Sequence, residues 1–199
     1  KILEDRRKNL IDGGINSIPS SFRRFSDDFI GVEQSTYYCI TSVTKGGKSQ
    51  FASYAFIYNP ILFAFYNRDK VRVKIFYFVL EETQERVMQR FMSYILYHLS
   101  KGKIRISPKD LRSSKNDKPL PEEVLEILKS SECAEILKFF EDSVIFSTTA
   151  NPTGIFKECQ RYAEKHGTTH KKKSVYRGEL GELKETDTFD YYVPDDPKE

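Results

Sequence analysis

The sequence predicts an α/β fold with a mainly parallel sheet flanked by helices. Three observations predict it. A β-branched and aromatic run at residues 36–41 leads through a glycine-containing stretch into a helical pattern. A second apolar run, VRVKIFYFVL at residues 71–80, precedes a long amphipathic pattern over residues 83–99. A third short run, VIFS at residues 144–147, again precedes a helical pattern. Strands that alternate with helices in this way are joined by right-handed crossovers, and ligands then sit at the carboxyl ends of the strands.

The first strand-loop-helix unit carries the chemistry. Residues 42–49 read SVTKGGKS and match the Walker A pattern G-x-x-x-x-G-K-[ST], with Ser42 in place of the first Gly. Gly46 and Gly47 allow successive backbone N–H groups to converge on phosphate oxygens, and the helix that follows points its open N–H groups at the same anion. The expected phosphate contacts are Thr44, Lys45, Gly46, Gly47, Lys48, Ser49 and Gln50. Lys48 reaches the β- and γ-phosphates, and the Ser49 hydroxyl ligates Mg²⁺. The plainer alternative is a Gly-Lys-Ser turn between a strand and a helix. The strand before and the helix after favour nucleotide binding.

The remaining elements follow in order. Residues 1–35 are polar, with Gly13-Gly14 and Pro19 as breaks, and read as a lead-in arm. Residues 18–22, IPSSF, form a small apolar clip able to pin that arm. Arg23 and Arg24 read as a solvated pair rather than a phosphate contact. Phe51, Tyr54, Ala55 and Tyr58 fall at helical spacing, and Asn59-Pro60 ends or interrupts their helix. The second half of the 71–80 run is continuously apolar, as a strand covered on both faces would be. In residues 83–99 the apolar positions Val87, Met88, Phe91, Met92, Ile95, Leu96 and Leu99 trace one helical face. His98 lies beside that stripe and reads as a surface or packing histidine. Residues 101–114 carry five basic side chains and read as a solvated basic loop, with a phosphate-contacting patch as the less favoured alternative. Pro121-Glu122-Glu123 opens a helix, helical pattern resumes over residues 132–140, and Asn151-Pro152 opens another that Gly167 stops. Residues 168–199 read as an insertion or extended loop, with residues 186–193 as a weak hairpin strand. The expected division is therefore 1–35, 36–167 and 168–199.

Glu81, at the tip of the second strand, is placed to orient and polarise a water attacking the γ-phosphate. It also reads as an acid at a helix N-terminus, a role Glu82 fills equally well. Composition narrows the setting. A chain of 199 residues at 39% hydrophobic content builds about one domain, and no apolar run is long enough to span a membrane. Cys39, Cys133 and Cys159 are odd in number and scattered, so neither a disulfide framework nor a zinc site is indicated, and a reducing cytoplasm fits. The net charge of +3 permits nucleic-acid contact without arguing for it.

At this point the chain resembles the DnaB-type replicative helicases, RecA-like P-loop ATPases that form rings. Residues 80–90, LEETQERVMQR, are similar to the family's strand-tip acid and the helix after it, with Glu81 in the place of the catalytic acid and Glu85, Met88 and Arg90 matching the helix. Residues 18–22 resemble its I-P-T-G-F lead-in with Ser21 for the usual Gly, residues 103–105 resemble a short piece after the long helix, and residues 151–167 the helix before its Walker B strand. The resemblance covers about residues 15–167. It implies a RecA-like motor domain, ATP and Mg as cofactors, single-stranded or forked DNA as partner, a homo-oligomeric ring (a hexamer), and a bacterial cytoplasm or phage-infected host. It also implies that Walker B, the sensor, the DNA-binding loops and the arginine finger come after Glu199, since Asp195 and Asp196 lie in a proline-flanked turn. The chain is then the N-terminal portion of a motor, incomplete at its C-terminal side, that binds nucleotide weakly and turns over poorly by itself. Other readings are a recombinase or loader-type RecA-like ATPase, a small-molecule kinase, and a non-catalytic nucleotide-binding assembly domain.

Overall fold

A computed structural model describes residues 2–22, 24, 27–33, 36–80, 82–112, 119–178 and 181–196. The chain divides into two units, Lys1–Ser147 and Thr148–Glu199, with the cut ahead of the 151–167 helix rather than after it.

The first unit opens with helix α1 (Ile2–Ile11), whose described side chains are exposed, and a short antiparallel bridge between β1 (Ile18–Pro19) and β2 (Gly31–Val32). Helix α1 lies where the sequence reads as a lead-in arm with loops. The clip at residues 18–22 does pin the arm. Ile18 is buried, Phe22 stacks on Phe51 at 4.8 Å, and the Asn59 side chain donates to the Pro19 carbonyl at 2.8 Å.

The helix after the glycine loop runs unbroken from Lys48 to Tyr66, as α2 (Lys48–Ser53), a π-helical turn (Tyr54–Tyr58) and α3 (Asn59–Tyr66). Proline in a helix interior lacks an N–H and clashes with the carbonyl four residues back, so Pro60 should end or kink this helix. The π turn resolves the conflict by widening the backbone ring ahead of Pro60, and the Asn59 N–H bonds the Tyr54 carbonyl instead. Pro60 is itself fully buried, and its packing offsets part of the lost hydrogen bond.

Strand β3 (Ile75–Phe78) pairs in parallel with β4 (Val144–Ser147), in register from Ile75 opposite Val144 to Phe78 opposite Ser147. One further bond, Val79 N–H to the Ser147 carbonyl at 2.8 Å, extends the pairing past Phe78. Strand β3 is shorter than the 71–80 run and only half-buried, because β4 is its one ladder partner among the described residues. The crossover between them carries α4 (Gln84–Leu99), α5 (Pro108–Leu111), α6 (Glu122–Leu128) and α7 (Ser131–Ser143). Helix α5 lies inside the stretch expected to be irregular. Its start is a capping box in which Ser107 and Asp110 satisfy each other's backbone N–H groups, with Pro108 at the first helical position. Helix α7 is capped by the Ser130 hydroxyl, which accepts from the Cys133 N–H.

The expected stripe on α4 is the centre of the core. Val87, Phe91, Ile95 and Leu96 are fully buried, and Phe91 stacks on Phe140 of α7 at 4.1 Å and against Tyr58 at 5.4 Å. Ile57, Ile61 and Leu62 complete this layer from the loop-following helix, and Ile136 and Val144 from the other side. A smaller cluster of Leu96, Ile104 and Val124 lies under α5 and α6.

The second unit holds α8 (Pro152–His166) and a long antiparallel hairpin of β5 (Gly167–Arg177) and β6 (Leu183–Pro194). Asn151 caps α8 by accepting from the Gly154 N–H, and Pro152 takes the first helical position, as the sequence indicates. The basic run at 170–173, which the sequence presents as part of a loop, is instead paired strand. Lys172 bridges to Asp190 at 2.8 Å, Ser174 bonds Thr188 at 2.6 Å, and Lys173 reaches Glu185 at 3.5 Å. A register shift between His170 and Lys171 marks a bulge. Phe156 meets Phe189 edge-on at 6.3 Å, and the Tyr192 hydroxyl donates to the His166 carbonyl, so helix and hairpin pack as one layer.

Truncating the central ring is the test of this core. Phe91→Ala should destabilise the protein by about 3–5 kcal/mol in urea unfolding, because it removes both aromatic contacts and leaves a cavity. A loss below about 1 kcal/mol would mean that the α4 face is not the core.

Candidate phosphate-binding loop

The loop at residues 42–49 is held by its own backbone. The Gly46 N–H donates to the Val43 carbonyl at 3.0 Å and closes a turn. Within it Lys45 has φ 63, a left-handed conformation that a side chain adopts only at a cost of about 1 kcal/mol or more. A Cβ on Gly46 would lie 2.8 Å from the Ser42 hydroxyl and 3.0 Å from the Val43 carbonyl, so this position excludes a side chain. The Ser42 hydroxyl folds inward and bonds the Val43 carbonyl at 3.0 Å. Serine at the first position of the pattern thus fits the turn, provided that Gly46 has no side chain.

Gly47, at φ 83 and ψ 11, is the N-cap of α2, and no side chain caps the helix. The Phe51 N–H closes the first helical turn onto the Gly47 carbonyl at 2.9 Å. The N–H groups of Gly47, Lys48, Ser49 and Gln50 therefore have no acceptor within the helix. Residues 41–50 are all exposed, so these groups and the Lys48 and Ser49 side chains face solvent at the positive end of the Lys48–Tyr66 helix. The chemistry open to such a site is the capture of an anion with several oxygens. The Ser49 hydroxyl, exposed in the same turn, is a hard oxygen donor of the kind Mg²⁺ accepts, and the cation would neutralise phosphate charge there.

The expected strand ahead of the loop does not form. Residues 36–41 have no ladder partner among the described residues. Their alternation still has a physical consequence. Tyr38 turns inward, where its ring meets Phe29 and Phe56 and its hydroxyl donates to the Gly31 carbonyl and accepts from the Glu33 N–H. Tyr37 points out and is 90% exposed. The segment is tethered through a side chain rather than a ladder.

Glu81 lies outside the described residues, as does Arg23. The described neighbour, Glu82, has a definite task. Its carboxylate accepts from the Tyr77 hydroxyl at 3.0 Å and pairs with Arg90 of α4, tying the end of β3 to that helix. The Tyr58 hydroxyl and the buried Ser53 share this half-buried polar cluster beside Arg90. Sequence reasoning assigned Arg90 no partner. A basic residue directly before the buried Phe91, two turns beyond an acid at the strand tip, was the available signal. At the start of α4 the exposed Glu85 carboxyl is held below its usual range by a hydrogen bond from the Thr83 hydroxyl.

Several hydroxyls titrate late. Burial pushes Tyr58 up, burial and then the Glu82 carboxylate push Tyr77 up, and burial with the Glu132 contact pushes Tyr66 up to about 12. A tyrosine whose folded pKa exceeds its unfolded value near 10 binds the proton more tightly when folded. The stabilisation it lends is present below about pH 10 and is lost as the pH rises through the folded value. Unfolding experiments across pH 8–12 should show stability falling from about pH 10. Absorbance at 295 nm should show a second, later wave of ionisation that coincides with loss of structure. A single wave near 10 with the fold intact would contradict this.

His98 is exposed and stacks loosely near Tyr66 and Tyr94, and no cluster of metal-ligating side chains occurs among the described residues. Among those residues no helix is long and apolar enough to cross a membrane. The chain matches no protein-family model, no curated protein and no solved structure.

Proposed function

We propose that this chain belongs to the motor domain of an ATP-dependent DNA helicase, and that it binds Mg-ATP at the loop formed by Thr44, Lys45, Gly46, Gly47, Lys48, Ser49 and Gln50. The observation that carries the reading is the loop's geometry. A left-handed Gly47 opens the Lys48–Tyr66 helix with its first N–H groups uncapped, directly beside an exposed Lys-Ser pair. Backbone N–H groups and the helix dipole hold the phosphates, Lys48 adds a charge-assisted contact, and Ser49 holds the cation. Glu81 is the acid that orients the attacking water, supported by the likeness of residues 80–90 to the helicase segment. Single-stranded DNA is the track, and the working form is a ring in which a neighbouring subunit completes each site.

A second reading is a nucleotide-binding assembly domain without turnover. The observation favouring it is that residues 36–41 form no strand before the loop.

Titration calorimetry with Mg-ATP separates these. Wild type should bind, and Lys48→Ala should bind roughly 10- to 150-fold more weakly, the worth of one charge-assisted hydrogen bond. Glu81→Gln should keep the affinity and slow single-turnover hydrolysis by about 100-fold or more, as removal of a general base does. Equal hydrolysis in Glu81→Gln and wild type would favour the assembly domain. No binding by wild type would overturn both readings.

A further inference from the structure

A second surface in Lys1–Ser147 has the chemistry of a binding site and no part in the phosphate loop. An open cavity of about 450 Å³ lies along the second half of α4, lined by Ser93, Tyr94, Tyr97, Arg105, Ile106 and Ser107. Its two tyrosines are three residues apart on one helix and so share a face. Both rings are braced. Tyr94 packs edge-on against Tyr54 at 5.4 Å and stacks on Tyr58 at 5.5 Å. Tyr97 is 44% exposed, with the Arg105 guanidinium over its ring at 5.8 Å.

The chain after α4 is shaped around that ring. Lys101 and Gly102 take φ values of 52 and 83, and the Gly102 N–H returns to the Tyr97 carbonyl at 2.8 Å. A Cβ on Gly102 would approach the Tyr97 hydroxyl at 3.3 Å, so the turn sits directly against the ring. Lys101 holds a left-handed conformation where glycine is the usual residue, a strained position maintained by the surrounding bonds. From the same turn to the end of α5 the chain carries Lys101, Lys103, Arg105, Lys109 and Arg112 against a single acid, Asp110. Asp110 is engaged in the capping box with Ser107.

We infer that this groove binds single-stranded nucleic acid, with bases stacked on Tyr97 and Tyr94 and phosphates held by Arg105 and the neighbouring lysines. The exposed Tyr97 ring gives any base a stacking face, the half-buried Tyr94 lies beside it on the same helix face, and the exposed basic chain from Lys101 onward meets the groove at Arg105 to follow the backbone. A duplex buries its base faces and cannot use the rings. The other basic run of the chain differs in kind, since Lys172 and Lys173 are paired with Asp190 and Glu185 across the hairpin. The inference stands on this groove alone and not on the phosphate loop.

Fluorescence anisotropy with labelled oligo-dT and oligo-rU, on the full chain without nucleotide or Mg²⁺, tests it. Both single strands should bind, and a duplex of the same length should bind more weakly. Tyr97→Ala should lower affinity roughly 5- to 150-fold, the worth of one stacked base. Tyr97→Phe should bind as wild type, because the stacking face remains. Arg105→Ala should weaken binding and flatten its salt dependence. The assay holds no nucleotide and no Mg²⁺, so failure of the phosphate-loop reading leaves this result untouched. A preference between dT and rU would tell which strand is the ligand. The inference is overturned if neither oligonucleotide binds, if Tyr97→Ala and Arg105→Ala bind as wild type in their folded state by circular dichroism, or if polyglutamate competes as well as the oligonucleotide.

Discussion

The first unit depends on the contact between the Lys48–Tyr66 helix and the layer of α4 and α7. The glycine loop makes few tertiary contacts of its own and is exposed throughout. Its position is set by the helix it opens, and that helix is set by Ile57, Tyr58, Ile61 and Leu62 packing on Val87, Phe91 and Phe140. The apolar gain is about 1.5–3 kcal/mol for each fully buried large side chain, so several together outweigh the roughly 3 kcal/mol that an interior proline costs. The chain therefore keeps the helix through Pro60 and takes the irregularity as a π turn. The same turn carries Tyr58, which joins the aromatic core by its ring and the polar cluster of Glu82 and Arg90 by its hydroxyl.

The same strain occurs at two places on this framework. Lys45 and Lys101 are non-glycine residues in left-handed conformations, one in the phosphate loop and the other in the turn beneath Tyr97. Each costs on the order of 1 kcal/mol and persists because neighbouring bonds determine it. Both lie next to a glycine that must lack a side chain or take a positive φ, and both present a lysine to solvent. The two proposed sites are thus built alike: a rigid helix terminus, a tight turn, and exposed cations around it.

Much of this was legible in the sequence where one local signal dominates. The α4 stripe, the VIFS strand, and the Asn151-Pro152 helix start with its stop before Gly167 are each written in a few adjacent residues. The apolar clip at Ile18 and Phe22 was legible for the same reason. Reading failed where tertiary partners decide. Residues 36–41 have strand composition, but a strand needs a neighbour, and Tyr38 found side-chain partners instead. Of the two readings of Asn59-Pro60, an end and an interruption, the end lost to burial of Pro60, and the irregularity is the π turn just ahead of it. The Lys171–Lys173 run reads as part of an extended loop because the acids that pair with Lys172 and Lys173, Asp190 and Glu185, are distant in sequence. The Ser107–Asp110 capping box was present as a local pattern but was hidden by the basic texture around it. The pairing of Glu82 with Arg90, and the groove of Tyr97 and Arg105, arise only when α4 and the chain after it are folded together.

The proposed function requires that the uncapped N–H groups at the start of the Lys48–Tyr66 helix receive phosphate. The most direct measurement is the backbone amide spectrum of isotope-labelled protein titrated with Mg-ADP. The amide resonances of Gly46, Gly47, Lys48, Ser49 and Gln50 should move together and saturate at one affinity, while those of the α5 turn and the β5–β6 hairpin stay in place. Saturating nucleotide that leaves the loop amides unmoved, or that shifts only residues elsewhere, would contradict it.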